Sequence, residues 1–120
     1  ARAAERGFAP AQYAMGWLHE QGLGVPQNPS LAAKWYRAAA EQNEVNAQFR
    51  LGLCYYRGLG VRKDEVEALA WFTLAAGQGD EDAAENAKVL AQQLGHAAVA
   101  EARERADRYA SLSGAAPTKP

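Results

Sequence analysis

Gly22-Leu23-Gly24-Val25 returns unchanged as Gly58-Leu59-Gly60-Val61, thirty-six residues further along the chain. Glycine adopts positive φ and permits close backbone approach, so two glycines two apart mark a tight, specific connection. A duplicated connection implies a duplicated unit around it. In the same register Ala11, Gln12, Gly16, Ala32, Trp35, Ala39, Ala40 and Gln42 recur as Ala47, Gln48, Gly52, Ala68, Trp71, Ala75, Ala76 and Gln78. Tyr13/Phe49, Met15/Leu51, Asn28/Asp64 and Tyr36/Phe72 are conservative partners. Aligned without gaps, 11–43 and 47–79 share 12 identities in 33 positions. A fixed period in the thirties marks a solenoid of stacked supersecondary units.

The bulk properties narrow the function classes. At 120 residues the chain has one domain's length. Its 13 Lys and Arg against 14 Asp and Glu leave a net charge of -1, which removes the electrostatic reason to expect nucleic-acid or anionic-membrane binding. No apolar run approaches the roughly 20 residues that span a bilayer, so direct membrane insertion is not expected. The opening Ala1-Arg2-Ala3-Ala4-Glu5-Arg6 lacks the apolar run of an export signal. Cys54 is the single cysteine and forms no internal disulfide. It stands where the first copy has Leu18, as a small buried apolar residue would.

The period organises the chain from its first residues. Arg2-Ala3-Ala4-Glu5 lies one period before Ala38-Ala39-Ala40-Glu41. Residues 1–9 therefore read as the end of a preceding unit, and the chain as a piece of a longer protein. The first unit is 10–45. Its first helix, 10–21, carries Ala11, Ala14, Met15 and Leu18 on one stripe, with Pro10 in the first turn, where a missing N–H is harmless. Gly16 costs about 1 kcal/mol in mid-helix relative to Ala, and its return as Gly52 predicts a partner helix too close for any Cβ. Asn28 and Asp64 are N-caps, with Pro29 suited to the next position. Asp64 followed by Glu67 has the spacing of a capping box. The second helix, 29–42, turns Ala32, Trp35, Tyr36 and Ala39 inward. The second unit, 46–79, repeats this with helices at 46–57 and 65–77.

The segment 80–112 starts in register and departs. Asp80 caps a helix with the stripe Ala83, Ala87, Leu90 and Leu94, but Lys88 replaces the mid-helix glycine. Gly95 then makes a short turn into a last helix, 96–111. Val99, Ala102, Ala106 and Tyr109 face inward there, while Glu101, Arg103, Glu104, Arg105, Asp107 and Arg108 form a charged outer face. That is the pattern of a C-terminal capping helix. Residues 113–120 have no periodicity and read as a disordered tail.

These residues together resemble the Sel1-like repeat family, a relative of the tetratricopeptide repeats. The resemblance rests on Ala47, Leu51-Gly52, Tyr55, Gly58-Leu59-Gly60-Val61, Asp64, Ala68, Trp71-Phe72 and Ala75-Ala76. The first copy departs at Met15, His19 and Asn28, and the last helix and tail hardly match. The resemblance implies an all-α fold, a right-handed superhelix of antiparallel helix pairs, and an adaptor role without cofactor. Bacterial members are often exported, which leans the compartment toward the periplasm. One branch with a disulfide in each repeat is linked to β-lactam hydrolysis. This chain lacks that cysteine pair, so the association is not carried over.

No catalytic constellation is visible. His19 and His96 lie far apart; His19 stands where the family has an aromatic and reads as a packed helix residue, and His96 as solvated. Glu81, Asp82 and Glu85 complement the dipole of a helix start rather than form a metal site. The Gly-x-Gly loops lack the strand and longer glycine spacing of a nucleotide fingerprint. In a solenoid of this kind the first helices line the concave surface. Tyr13, Trp17, Glu20 and Gln21 share one face of the first helix, and Phe49, Leu53, Tyr56 and Arg57 are their period mates. Aromatic and aliphatic anchors with a few polar groups suit recognition of a protein or peptide, although Tyr13 and Phe49 equally suit packing between units. A second reading makes the chain the structural end of a longer array, its apolar groups covered by upstream repeats or a dimer mate. A third is a hydrolase or wall-fragment binder.

Overall fold

The computed structural model describes Ala4 and residues 7–113. The expectations for 1–3, 5–6 and the tail at 114–120 lie outside the described residues. Six helices follow one another: α1 (Ala9–Gln21), α2 (Pro29–Ala40), α3 (Val45–Arg57), α4 (Glu65–Gly77), α5 (Glu81–Leu94) and α6 (His96–Leu112). Among the described residues there is no strand. α1 pairs with α2 and α3 with α4, while α2 also packs on α3 and α4 on α5. The molecule is the all-α solenoid expected.

Local chemistry sets the ends of the helices. Gly22 and Gly58 adopt left-handed φ values of 73° and 70°, and their N–H groups donate to the carbonyls of Leu18 and Cys54. That satisfies carbonyls the helix would otherwise leave orphaned. Asn28 and Asp64 each accept a backbone N–H, from Leu31 and Glu67, at 3.1 Å. Glu44 and Asp80 do the same for α3 and α5. The capping box expected at Asp64 is only half made: the Glu67 carboxylate turns into the protein instead of back to the cap.

The two mid-helix glycines have a steric cause. A Cβ on Gly16 would lie 2.6 Å from Cδ1 of Tyr36, and one on Gly52 2.6 Å from Cε1 of Phe72. Each second helix lays an aromatic ring flat against the backbone of its first helix. A glutamine clamp closes the other end of each pair. Gln42 Nε2 donates to Gln12 Oε1 at 2.8 Å, and Gln78 Nε2 to Gln48 Oε1 at 2.9 Å. Gln12 and Gln48 in turn donate to the carbonyls of Ala4 and Ala40 at 3.3 Å. These buried amides are thereby paired, as burial requires.

The buried face of α1 differs from the stripe read in the sequence. Gln12, Gly16 and His19 are buried, Ala14 is exposed, and Ala11, Met15 and Leu18 are half-buried. The helix is phased by the contact of Gly16 with Tyr36, which no hydrophobicity pattern registers. In the second unit Ala47, Leu51 and Cys54 are buried, because α3 has α2 packed against it as well as α4.

The last helix does not take the place of a second helix on α5. It lies along α4 and touches α5 sparsely. Its Tyr109 ring stacks on Trp71 with centroids 4.6 Å apart and planes 5° from parallel. Arg105, expected on the charged outer face, instead turns inward to Glu67 at 2.8 Å and Asp64 at 3.5 Å. The cause is Glu67, only 6% exposed, a carboxylate that needs full compensation when removed from water. Trp71 Nε1 donates to it at 3.1 Å and the Tyr109 hydroxyl at 2.7 Å. Burial opposes the charge on Arg105, but hydrogen bonds to Glu101 and Glu67 outweigh it and hold the guanidinium charged. Burial, then the Glu67 bond, pushes the Tyr109 hydroxyl up to about 12.

Candidate interaction groove

The eight residues singled out on α1 and α3 separate into two groups. Tyr13 and Phe49 pack on their own second helices, with ring centroids 5.8 Å from Tyr36 and 5.9 Å from Phe72. Tyr13 is also hydrogen-bonded to Arg50. Glu20 accepts a hydrogen bond from the Tyr36 hydroxyl. Burial first, and that bond second, raises Tyr36 above its ordinary range. These three side chains hold helices together.

Trp17 and Tyr56 are 37% and 38% exposed, although each is large and apolar enough to be buried. Gln21 and Arg57 are exposed, and Leu53 is half-buried against the core. Leu53, Tyr56 and Arg57 of α3 meet Asn86, Val89, Leu90 and Gln93 of α5 around a cavity of about 170 Å³, with Phe72 also lining it. Sequence reasoning missed the α5 residues. The signal was available: adding the period to Arg50, Leu53 and Arg57 gives Asn86, Val89 and Gln93. Trp17, Leu53 and Val89 are thus one row across three first helices, and Val89 is 44% exposed.

The remaining reactive side chains are placed differently. Cys54 is buried; burial and then Glu20 push its thiol up to about 11, so it stays protonated and inert near neutrality. His19 is buried with Nδ1 unpaired, whereas its period mate Tyr55 receives a hydrogen bond from Arg37. His96 is exposed at the start of α6. Among the described residues no three His, Cys, Asp or Glu side chains gather closely enough to hold a metal ion. No described helix is long and apolar enough to cross a membrane.

Comparison with known proteins matches the Sel1 repeat at residues 9–44 and 45–80. Two solved structures are similar over most of the chain. One is c5321, a protective antigen of uropathogenic Escherichia coli strains displaying an SLR fold. It is 36% identical with a TM-score of 0.87, over 92% of this chain and 24% of its own. The other is a Sel1 repeat protein from Oxalobacter formigenes, 41% identical with a TM-score of 0.71, over 72% of this chain and 65% of its own. A curated relative, chitin synthase regulatory factor 3 of Schizosaccharomyces pombe, is 54% identical over 39 residues. That stretch is 32% of this chain and 4% of the relative.

Proposed function

This chain belongs to the Sel1 repeat family, and we propose that it is a non-catalytic module binding a protein or peptide along the surface of its first helices. Sel1 repeat proteins generally mediate protein–protein interaction. The observation that carries the reading is the row Trp17, Leu53 and Val89 with Tyr56 beside it. The second helices bury Tyr36, Trp71 and Phe72 to at most 1% exposure, although Trp35, expected to face inward like its period mate Trp71, is only half-buried. The first helices bury Leu51 and Leu90 too, yet at positions 36 apart they leave Trp17 and Val89 open to solvent and Leu53 half-buried between them. Aromatic and aliphatic side chains spaced along a groove are what interface anchors require.

The test is affinity capture from the source organism's extract with the parent protein and with a Trp17→Ala, Leu53→Ala, Tyr56→Ala variant, identified by mass spectrometry. Circular dichroism confirms first that the variant keeps its helices. A partner held by the parent and lost by the variant is the expected result. An unchanged partner set refutes the groove.

A second reading rests on a separate observation, the seating of α6 over α4 by Arg105 and Tyr109. With Glu104, Asp107 and Arg108 exposed on its far side, α6 has the two faces of an end cap. On this reading 80–112 is the terminal layer, and 10–45 and 46–79 are the units it closes.

A further inference from the structure

The two junctions between first helices are built from period mates, yet their side chains fill space differently. Trp17 stands where the second junction has Leu53, and Glu20 where it has Tyr56. Glu20 is tied down by the Tyr36 hydroxyl, a bond that Phe72 at the matching position cannot make. Arg50 reaches back to Tyr13, whereas its mate Asn86 is shorter and stays at the cavity rim. The first junction thus carries larger groups, with Glu20 and Arg50 each tied by a hydrogen bond. The second keeps a cavity of about 170 Å³ floored by Phe72 and Leu90.

An apolar cavity of about 150 Å³ lined by Leu, Ile and Phe stays dry and holds a benzene ring, so this one has room for a single leucine, methionine or phenylalanine side chain. Arg57 is the one charged residue lining it. Among the described residues Arg57 makes no ion pair. Asn86 and Gln93 lie two turns apart on α5, and their amides offer both donors and acceptors to an extended backbone. We propose that the second junction is the specificity pocket of the groove: it takes a peptide segment with one bulky apolar anchor and an Asp or Glu within two residues of it. The inference rests on the interaction reading above and names its partner's chemistry.

The test is to pan a displayed library of random 12-residue peptides against the purified protein. The most enriched peptide is then synthesised and its affinity measured by fluorescence anisotropy against wild type, Val89→Trp, Arg57→Glu and Trp17→Ala. Position 89 is exposed enough for a tryptophan to fill the cavity without entering the core. Enriched sequences sharing an apolar anchor beside an acid are expected. Affinity falls about tenfold or more with Val89→Trp and with Arg57→Glu, and falls by less with Trp17→Ala, which lies along the groove but outside the pocket. Replacing the peptide's acid by lysine restores binding to Arg57→Glu. Peptides that bind Val89→Trp as tightly as wild type, or lose affinity only with Trp17→Ala, overturn the pocket and leave the groove reading intact. If no peptide is enriched, the pocket proposal falls, and the groove reading is decided by the affinity capture above. Octanoate binding without peptide enrichment reassigns the cavity to a free amphiphile and overturns the peptide proposal.

Discussion

Replacing Gly52 by alanine sets two effects of opposite sign against each other. Helix propensity favours alanine over glycine in mid-helix by about 1 kcal/mol. The new Cβ would sit 2.6 and 2.7 Å from two ring carbons of Phe72 and 3.2 Å from a third, whereas carbon atoms rest at about 3.5–4.0 Å. The ring must therefore retreat by roughly 1 Å, but it is 1% exposed and has Phe49 beside it, centroids 5.9 Å apart. Overpacking of a filled core costs about 1–3 kcal/mol, and three contacts on one rigid ring place this case near the upper end. The net expectation is a loss of about 2 kcal/mol, near 8 °C in melting temperature for a chain of this size. Urea unfolding followed by circular dichroism measures it, with midpoint and slope both compared because a short solenoid need not unfold in one step. The decisive control is Phe72→Leu. It costs about 2 kcal/mol alone, but it removes the ring that the added methyl group would strike. The double variant should then be more stable than the sum of the singles by about 1–2 kcal/mol. A Gly52→Ala protein as stable as wild type, or a double variant that is simply additive, refutes the view that ring contact dictates the glycine.

Three other perturbations probe the remaining joints. Glu67→Ala takes one of three carboxylate partners from Arg105, leaving Asp64 and Glu101, and unpairs the Tyr109 hydroxyl and Trp71 indole at once. A loss of about 3 kcal/mol is expected, with changed near-ultraviolet dichroism as the Trp71–Tyr109 stack loosens; unchanged stability would make the latch incidental. Asp64→Ala removes the α4 cap and the 3.5 Å pairing with Arg105, for an expected cost of about 1 kcal/mol in urea unfolding. Stability should also fall in alkali. The Cys54 thiol is raised from 9.0 to about 11 and the Tyr109 hydroxyl from 10.0 to about 12, so the folded state holds protons that the unfolded chain releases. Their contribution is complete below about pH 9 and is lost as the pH climbs through those raised values. Urea midpoints between about pH 7 and 11 check this, and Cys54→Ala should flatten the decline at its lower end.

What could be read in the sequence was whatever local geometry forces on a single residue type. Gly22 and Gly58 must be glycine because their φ is positive; Asn28 and Asp64 cap because a short polar side chain reaches the next turn's N–H. Such residues repeat wherever the backbone repeats, so the period, the helix ends and the family resemblance all follow from them. The burial phase of α1 does not. Gln12, Gly16 and His19 carry its buried face, and none of them scores as hydrophobic. The course of α6 was less legible still, because it depends on a pair 38 residues apart in which Glu67 imitates a capping residue and Arg105 a surface charge. Only the desolvation of Glu67 reveals that they need each other. The candidate groove lies between these cases. Trp17, Leu53 and Tyr56 stood out as large side chains without a scaffold duty. Val89 and Asn86, by contrast, fall in a helix whose lost glycine made the third unit look like a departure. The register continues through it, with Ala83 for Ala47 and Val89 for Leu53, but residue types lapse on both faces, with Lys88 for Gly52 and Gln92 for Tyr56. The backbone register thus outlasts the residue types, and the register alone brings Val89 into the row of Trp17 and Leu53.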